Sequence, residues 1–199
     1  MASRRRLWDG RPCGANPFAL PRGALGRLAG AVMAWENRVQ NTEALLYADP
    51  GPREDVLEVG HGPGVLVGLL AGRAGTVTGV DPSPEMVRAA RRRNAGAVRD
   101  GRVRLRLGDA AGTGAPDASF DLVVSVNTVA LWPRLEPAAA ELRRVLRPGG
   151  RLLLFWHLRP RGFALSAAER GTAAAALRAR FGEVRTADLR HSVVFAARP

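Results

Sequence analysis

The sequence predicts an α/β protein with a doubly wound, mostly parallel sheet, helices on both faces and an antiparallel hairpin at the carboxyl end. Apolar strand-like runs alternate with helical segments between residues 54 and 156, as in consecutive βαβ units. A glycine-rich turn follows the first run directly, and two further strand-like runs close the chain with no helix between them. The 199 residues suit one such domain.

The first part of the chain precedes this alternation. Residues 1–15 are rich in Arg, Gly and Pro, so we expect a disordered basic tail. Residues 16–52 should form an N-terminal helical cap, because apolar residues recur at helical spacing from Gly23 to Ala48. Residues 53–199 should then form the sheet domain.

The expected elements of the sheet domain follow in a regular order. They are strand 54–59, helix 64–72, strand 76–80, helix 84–95, strand 102–107, strand 120–126, helix 135–146 and strand 150–156. Residues 164–181 are alanine-rich and contain no proline, which predicts a last helix capped by Gly182. Strands 183–189 and 192–197 complete the sheet as the closing pair.

The turn after the first strand predicts a nucleotide-like cofactor. Gly60, Gly62 and Gly64 lack a Cβ, so a bound molecule can approach the backbone closely. Asp81 ends the next strand, where an open α/β sheet places a carboxylate against ribose hydroxyls. Val65 stands where the dinucleotide fingerprint requires glycine, which disfavours a nicotinamide cofactor. An ordinary glycine-rich turn is the alternative, since a glycine triplet alone is a weak signal.

Four motifs in order resemble those of the class I S-adenosylmethionine-dependent methyltransferases, whose sheet is Rossmann-like. The motifs are Glu58 with the three glycines, Gly108-Asp109-Ala110 after the third strand, Phe120 to Asn127, and the helix, turn and strand from Leu142 to Phe155. The resemblance covers roughly residues 53–156. It implies a methyltransferase whose cofactor is S-adenosylmethionine.

The resemblance also implies which residues surround the cofactor: Glu58, Gly60, His61, Gly62, Gly64, Asp81, Pro82, Met86, Asp109, Ala110 and Asn127. In that assignment Glu58 favours the ammonium group, Asp81 takes the ribose and Asp109 meets the adenine edge. The alternatives are a satisfied polar residue under the loop for Glu58, a helix cap for Asp81 and a turn residue for Asp109. Met86 is equally compatible with helix packing.

His61 and Asn127 are the candidate catalytic residues. Positioning the reactants can supply much of the rate acceleration of a methyl transfer from an activated donor, so few dedicated acids or bases are required. Asn127 should face the methionine part of the cofactor and the acceptor, whereas the His61 imidazole is a candidate base for an alcohol or phenol. A surface histidine is the alternative. The candidate residues of the acceptor pocket are Trp35, Asn37, Asn41 and Trp132, with core packing equally compatible for Trp35.

Missing motifs favour a small-molecule acceptor, methylated at O, N or C. The loop from Asn127 to Trp132 lacks the Asn/Asp-Pro-Pro-aromatic run of amino-directed nucleic-acid methyltransferases. Cys13, the single cysteine, precedes the sheet domain, which disfavours cytosine C5 chemistry. No acidic residue follows Asn127 directly and no Cys/His cluster has zinc spacing, so no metal is predicted.

The net charge of +12 leaves other classes open, because 30 arginines exceed the 18 acidic residues and a basic surface can bind a polyanion. No aromatic residues interleave the arginine clusters at 88–99 and 143–147, which disfavours a nucleic-acid partner. An RNA or DNA methyltransferase, or a non-catalytic cofactor-binding protein, remains the alternative. The single cysteine, with no signal peptide and no apolar span, predicts a cytoplasmic protein without a membrane span, as a monomer or homodimer.

Overall fold

The computed structural model describes residues 7–10, 37–160 and 162–199. Its strands are β1 (Asp55–Val59), β2 (Thr76–Asp81), β3 (Val103–Leu107), β4 (Phe120–Val126), β5 (Leu146–His157), β6 (Val184–Asp188) and β7 (Ser192–Ala197). They form one seven-stranded sheet in the order β3-β2-β1-β4-β5-β7-β6. Strands β1 to β5 are parallel to one another, and β7 runs antiparallel to both β5 and β6. The predicted fold class is confirmed.

The described helices are α1 (Arg38–Ala48), α2 (Val65–Ala71), α3 (Pro84–Arg93), α4 (Ala95–Arg99), α5 (Leu135–Val145) and α6 (Ala167–Phe181). The predicted helix 84–95 ends early, and α4 follows it as a separate short helix. Asn94 lies at the break, where its Nδ2 donates to the carbonyl oxygens of Ala90 and Gly64. A side chain that binds nearby backbone in this way competes with continuation of a helix.

Two other boundaries differ from the prediction by three residues or more. Strand β5 begins at Leu146 rather than at residue 150, because Leu146 pairs with Phe120 before a register shift in the β4–β5 ladder. The proline-glycine segment after Leu146 therefore lies inside the strand as an irregularity. Helix α6 begins at Ala167, where Ser166 and Glu169 form a reciprocal capping box.

Two hydrophobic clusters cover opposite faces of the sheet. Side chains alternate along each strand, so in β1 Val56 packs toward α1 and α2 whereas Leu57 packs toward α5 and α6. The parallel strands all end at one edge of the sheet, which we call the carboxyl edge. Gly60, Asn127 and the last residues of β2 and β5 lie there. This edge is where an open α/β sheet binds ligands.

The expected disordered tail includes Leu7 to Gly10, but these residues pack on the loop after β4. The Trp8 Nε1 donates to the carbonyl oxygen of Val129 at 2.8 Å, and the Gly10 amide donates to that of Pro133 at 3.0 Å. Trp8 also packs against the larger core cluster. The rest of residues 1–15, including Cys13, most of the predicted helical cap and the pocket candidate Trp35 lie outside the described residues.

Part of the arginine excess is used inside the structure. The Arg147 guanidinium binds Asp121 at 2.6 Å and Asp55 at 2.8 Å, which joins β5 to the amino ends of β4 and β1. Arg144 pairs with both Glu141 and Asp117. Over the described ranges, no helix has the length and apolar character of a membrane span. In the same ranges no group of three acidic, histidine or cysteine side chains is arranged to hold a metal ion.

Candidate active site

The three glycines after β1 have different structural roles, although all have positive φ angles. A Cβ on Gly60 would collide with Thr128 Cγ2, and a Cβ on Gly64 would lie 2.6 Å from Ala90 Cβ. These two glycines therefore let the turn pack against the loop after β4 and against α3. Of the three, only Gly62 has no described residue within 4 Å of an added Cβ. The backbone at Gly62 is thus the part of the turn that a ligand can approach.

Asp81 is buried at the end of β2 and its carboxylate holds the glycine turn in place. The Gly62 amide donates to Oδ2 at 2.8 Å, and the Ser83 amide donates to Oδ1 at 2.9 Å. The N-cap of α3 is Ser83, whose Oγ accepts from the Met86 amide. Each carboxylate oxygen can accept a second hydrogen bond. Asp81 therefore keeps the acceptor capacity that two ribose hydroxyls require.

Glu58 presents a buried carboxyl group beneath the same turn. It faces Gly79 across the β1–β2 ladder, and its Oε2 has no hydrogen-bond partner among the described residues. Burial, and secondarily the charge of Asp81, raise the pKa of Glu58 well above its usual range. The described residues therefore leave Glu58 Oε2 without a hydrogen bond, which argues against the alternative that Glu58 is a satisfied polar residue. Donors from an ammonium group would satisfy this oxygen.

His61 is buried, so the alternative of a surface histidine is wrong. Its ring occupies the space that a side chain on Gly79 would fill, since a Cβ there would lie 2.8 Å from His61 Cδ2. The Nδ1 lies 2.7 Å from the Gly62 carbonyl oxygen, which can only accept, so this nitrogen carries the proton. Burial lowers the pKa of His61, although the nearby Asp81 carboxylate opposes that shift. The imidazole is therefore neutral near pH 7, and its buried Nε2 has no partner in the part of the chain that the structure describes.

The residues expected around the adenine lie in different environments. Asp109 is exposed after β3, and its Oδ1 accepts from the Ala111 amide at 2.8 Å, so it stabilises its own turn. Its neighbour Ala110 is buried, whereas Pro82 is exposed beside Asp81. Met86 is only 1% exposed, which favours the helix-packing alternative for this side chain. Of the four residues expected around the adenine, Pro82 and Asp109 are thus the exposed ones.

Asn127 directly follows β4 and lies in the left-handed region, with a φ of 57°. Its Oδ1 accepts from the His157 amide at 2.9 Å, and its Nδ2 donates to Asn37 Oδ1 at 2.9 Å. The predicted pocket residue Asn37 is thereby brought to the carboxyl edge at the start of α1. Asn41, one turn later, is buried. Asn127 fixes the position of α1 relative to β4 and β5.

A chain of hydroxyl groups links the loop after β4 to the glycine turn. The Trp132 Nε1 donates to Thr128 Oγ1 at 3.1 Å, and Thr128 contacts Ser125, whose Oγ donates to the Val59 carbonyl oxygen at 2.7 Å. Because the Val59 carbonyl oxygen can only accept, each donor in this series of hydrogen bonds points toward β1. The buried Trp132 is therefore oriented by residues that the sequence analysis missed. The available signal was Ser125, a polar residue within the apolar run of β4.

Comparisons with known proteins agree with this geometry. A family model described as a methyltransferase domain matches residues 57–154. Nocamycin O-methyltransferase from Saccharothrix syringae is 42% identical over 107 residues, which cover 52% of this chain and 38% of that protein. The uncharacterised methyltransferase YdaC from Bacillus subtilis strain 168 is 32% identical over 126 residues, which cover 62% of this chain and 67% of YdaC. The chain thus spans less than half the length of the first relative.

The solved structure of geranyl diphosphate C-methyltransferase from Streptomyces coelicolor A3(2) shares the fold. Its TM-score is 0.64 at 16% sequence identity, covering 98% of this chain and 91% of that one. The strand order, the family match from residue 57 onward and the similarity to most of YdaC agree. The chain belongs to the class I S-adenosylmethionine-dependent methyltransferases.

Proposed function

We propose that the protein transfers a methyl group from S-adenosylmethionine to an oxygen, nitrogen or carbon atom of a small metabolite. The observation that carries this proposal is the arrangement around Gly62. Its open backbone donates to Asp81, which retains acceptor capacity, and the charge of Asp81 in turn reaches Glu58, whose buried Oε2 has no partner among the described residues. These groups complement ribose hydroxyls and an ammonium group, both of which S-adenosylmethionine carries.

The bound cofactor supplies an electrophilic methyl group on a sulfonium. The chain contributes mainly by holding the two reactants, which can supply roughly 7–11 kcal/mol in favourable cases. Asp81 and Glu58 hold the cofactor, and the hydrogen bonds of Asn127 set the geometry between β4, β5 and α1. The buried, neutral His61 shapes the turn through its bond to Gly62. We therefore assign His61 to positioning rather than to proton transfer.

Two observations support a small acceptor. The nocamycin enzyme, by its name, methylates oxygen of a small molecule, and the aligned region covers about half of this chain. Two of the arginines in the cluster Arg143, Arg144 and Arg147 bind acidic side chains of the same chain, which leaves less of that charge for a polyanion. Trp132, Asn37 and Asn41 are the described candidates for the acceptor pocket.

A two-stage experiment tests the proposal. Calorimetry should show S-adenosylmethionine and S-adenosylhomocysteine binding in the micromolar range, about −8 kcal/mol, with no binding of nicotinamide dinucleotides. Incubation with methyl-labelled cofactor and a host metabolite extract should then label a small molecule. Failure to bind either compound at millimolar concentration would refute the proposal. Binding without any transfer supports the non-catalytic alternative, and label in RNA or DNA supports a nucleic-acid acceptor.

A further inference from the structure

Buried polar atoms without hydrogen-bond partners mark two places in the described part of the chain. Glu58 Oε2 and His61 Nε2 lie at the glycine turn, where the cofactor is expected. Gln40 Oε1, Glu43 Oε2 and Ser192 Oγ form a second group, which we call the α1–β7 cluster. One further atom belongs to a side chain of the outer strand β3.

One hydrogen bond and the positions of the residues along α1 and β7 place the α1–β7 cluster on one face of the sheet. Glu43 Oε1 accepts from the His191 amide at 3.0 Å, which places this carboxylate beside the start of β7. Ser192 is the next residue, and it lies on the α1 face because Val194, two residues later, packs in the cluster formed with α1. Gln40 lies one turn before Glu43 on α1, hence on the same side of the helix.

The α1–β7 cluster adjoins the residues expected to face the acceptor. Ser192 pairs with His157 in the β5–β7 ladder, and the His157 amide donates to Asn127 Oδ1. Asn127 in turn binds Asn37, one turn before Gln40. The cluster therefore lies at the carboxyl edge, beside Asn127 rather than behind the sheet.

Among residues 37–160 and 162–199 these atoms find no partner, although leaving them unpaired costs folding free energy. A buried polar group without a partner loses its hydrogen bonds to water and gains none, and native proteins retain few of them. At the glycine turn, the buried polar atoms without partners belong to groups that should bind the cofactor. A second occurrence at the same edge indicates the second ligand of the reaction.

The chemistry of the cluster selects a donor-bearing ligand. A carboxylate oxygen, an amide oxygen and a hydroxyl oxygen all accept hydrogen bonds, and the carboxylate favours a cation. We propose that the α1–β7 cluster binds the amino group of an amine-bearing acceptor, as a recognition group at which no bond is made or broken. This inference rests on the proposed function. Gln40 and Glu43 are only half-buried, so rotation of their side chains opens the cluster to a small head group.

Three probes with one skeleton test the head-group preference by calorimetry on protein saturated with S-adenosylhomocysteine. They are 2-phenylethylamine, 2-phenylethanol and phenylacetate, which carry a cationic, a neutral and an anionic group. We expect the amine to bind at least about tenfold more tightly than the alcohol, and phenylacetate most weakly. Glu43→Gln retains an oxygen for the His191 amide but removes the charge, and should abolish this preference. Glu136→Gln, at an exposed glutamate of α5, should keep it.

Ser192→Ala gives a second test that does not depend on charge. Removing an unpartnered buried hydroxyl should leave the melting temperature unchanged or higher, while the amine affinity falls several-fold. All variants should bind S-adenosylhomocysteine within about twofold of wild type, since none contacts the glycine turn. Absence of cofactor binding in the wild type would instead refute the proposed function. The inference is overturned if the amine binds no more tightly than the alcohol, if Glu43→Gln keeps the preference, or if the loaded protein binds no probe.

Discussion

Replacing Asp81 by alanine removes a buried carboxylate that connects the glycine turn to the start of α3. In the protein without ligand, the Gly62 and Ser83 amides donate to it at 2.8 and 2.9 Å. Ribose hydroxyls would add charge-assisted hydrogen bonds, each contributing about 1.5–3 kcal/mol. We expect Asp81→Ala to weaken S-adenosylmethionine binding by about 2–4 kcal/mol, a roughly 30-fold to 900-fold increase in Kd.

Calorimetry with both S-adenosylmethionine and S-adenosylhomocysteine measures this effect, and Ser83→Ala is its matched control. The Ser83 hydroxyl caps α3 at the Met86 amide, so its loss should lower the free energy of unfolding by about 1 kcal/mol and leave the cofactor affinity unchanged. If Asp81→Ala kept normal affinity but melted much earlier, the carboxylate would serve only to hold the two amides, and the assignment to ribose would be refuted.

Three further changes test other parts of the site. Gly60→Ala should destabilise the fold by about 2–4 kcal/mol, because it combines a strained φ with the Thr128 collision. Gly62→Ala has the strained φ without a collision, so it should destabilise the fold by only about 1–2 kcal/mol and also weaken cofactor binding, as urea unfolding and calorimetry can compare. His61→Phe should change turnover less than about tenfold and leave its pH profile unaltered; a loss of about 10² to 10⁴ at normal cofactor affinity would make the imidazole a base. The Arg144 guanidinium lowers the pKa of Glu141 to about 2. This pair therefore stabilises the fold above about pH 4.5, the pKa of Glu141 in the unfolded chain, and that stability is lost as the pH falls from about 4.5 to 2. Because Arg144 is about a third exposed, Glu141→Gln should remove about 1–2 kcal/mol at pH 7 and little at pH 2, and an equal loss at both pH values would contradict this origin.

The sequence by itself determined the fold class and the order of the elements. Buried parallel strands require apolar runs such as Val56 to Val59, and the runs at β2 and β4 repeat that pattern. The positions of Glu58, Gly62 and Asp81 at strand ends follow from the same pattern, since parallel strands end at one edge. Local chemistry also predicted the carboxyl cap of α6 at Gly182. These features depend on neighbours within a few residues along the chain, so spacing alone reveals them.

Contacts between distant residues were decided only by the tertiary structure. Gly60 and Gly62 are equivalent in sequence, but the collision of Gly60 with Thr128 depends on how β1 and β4 are paired. Likewise, nothing near Glu43 in the chain indicates that it meets the start of β7, 148 residues away. Whether a buried atom has a hydrogen-bond partner depends on every residue packed around it, including residues that are distant in the sequence. The sequence therefore located the cofactor turn, whereas the α1–β7 cluster became visible only when helix and hairpin were placed against the same edge of the sheet.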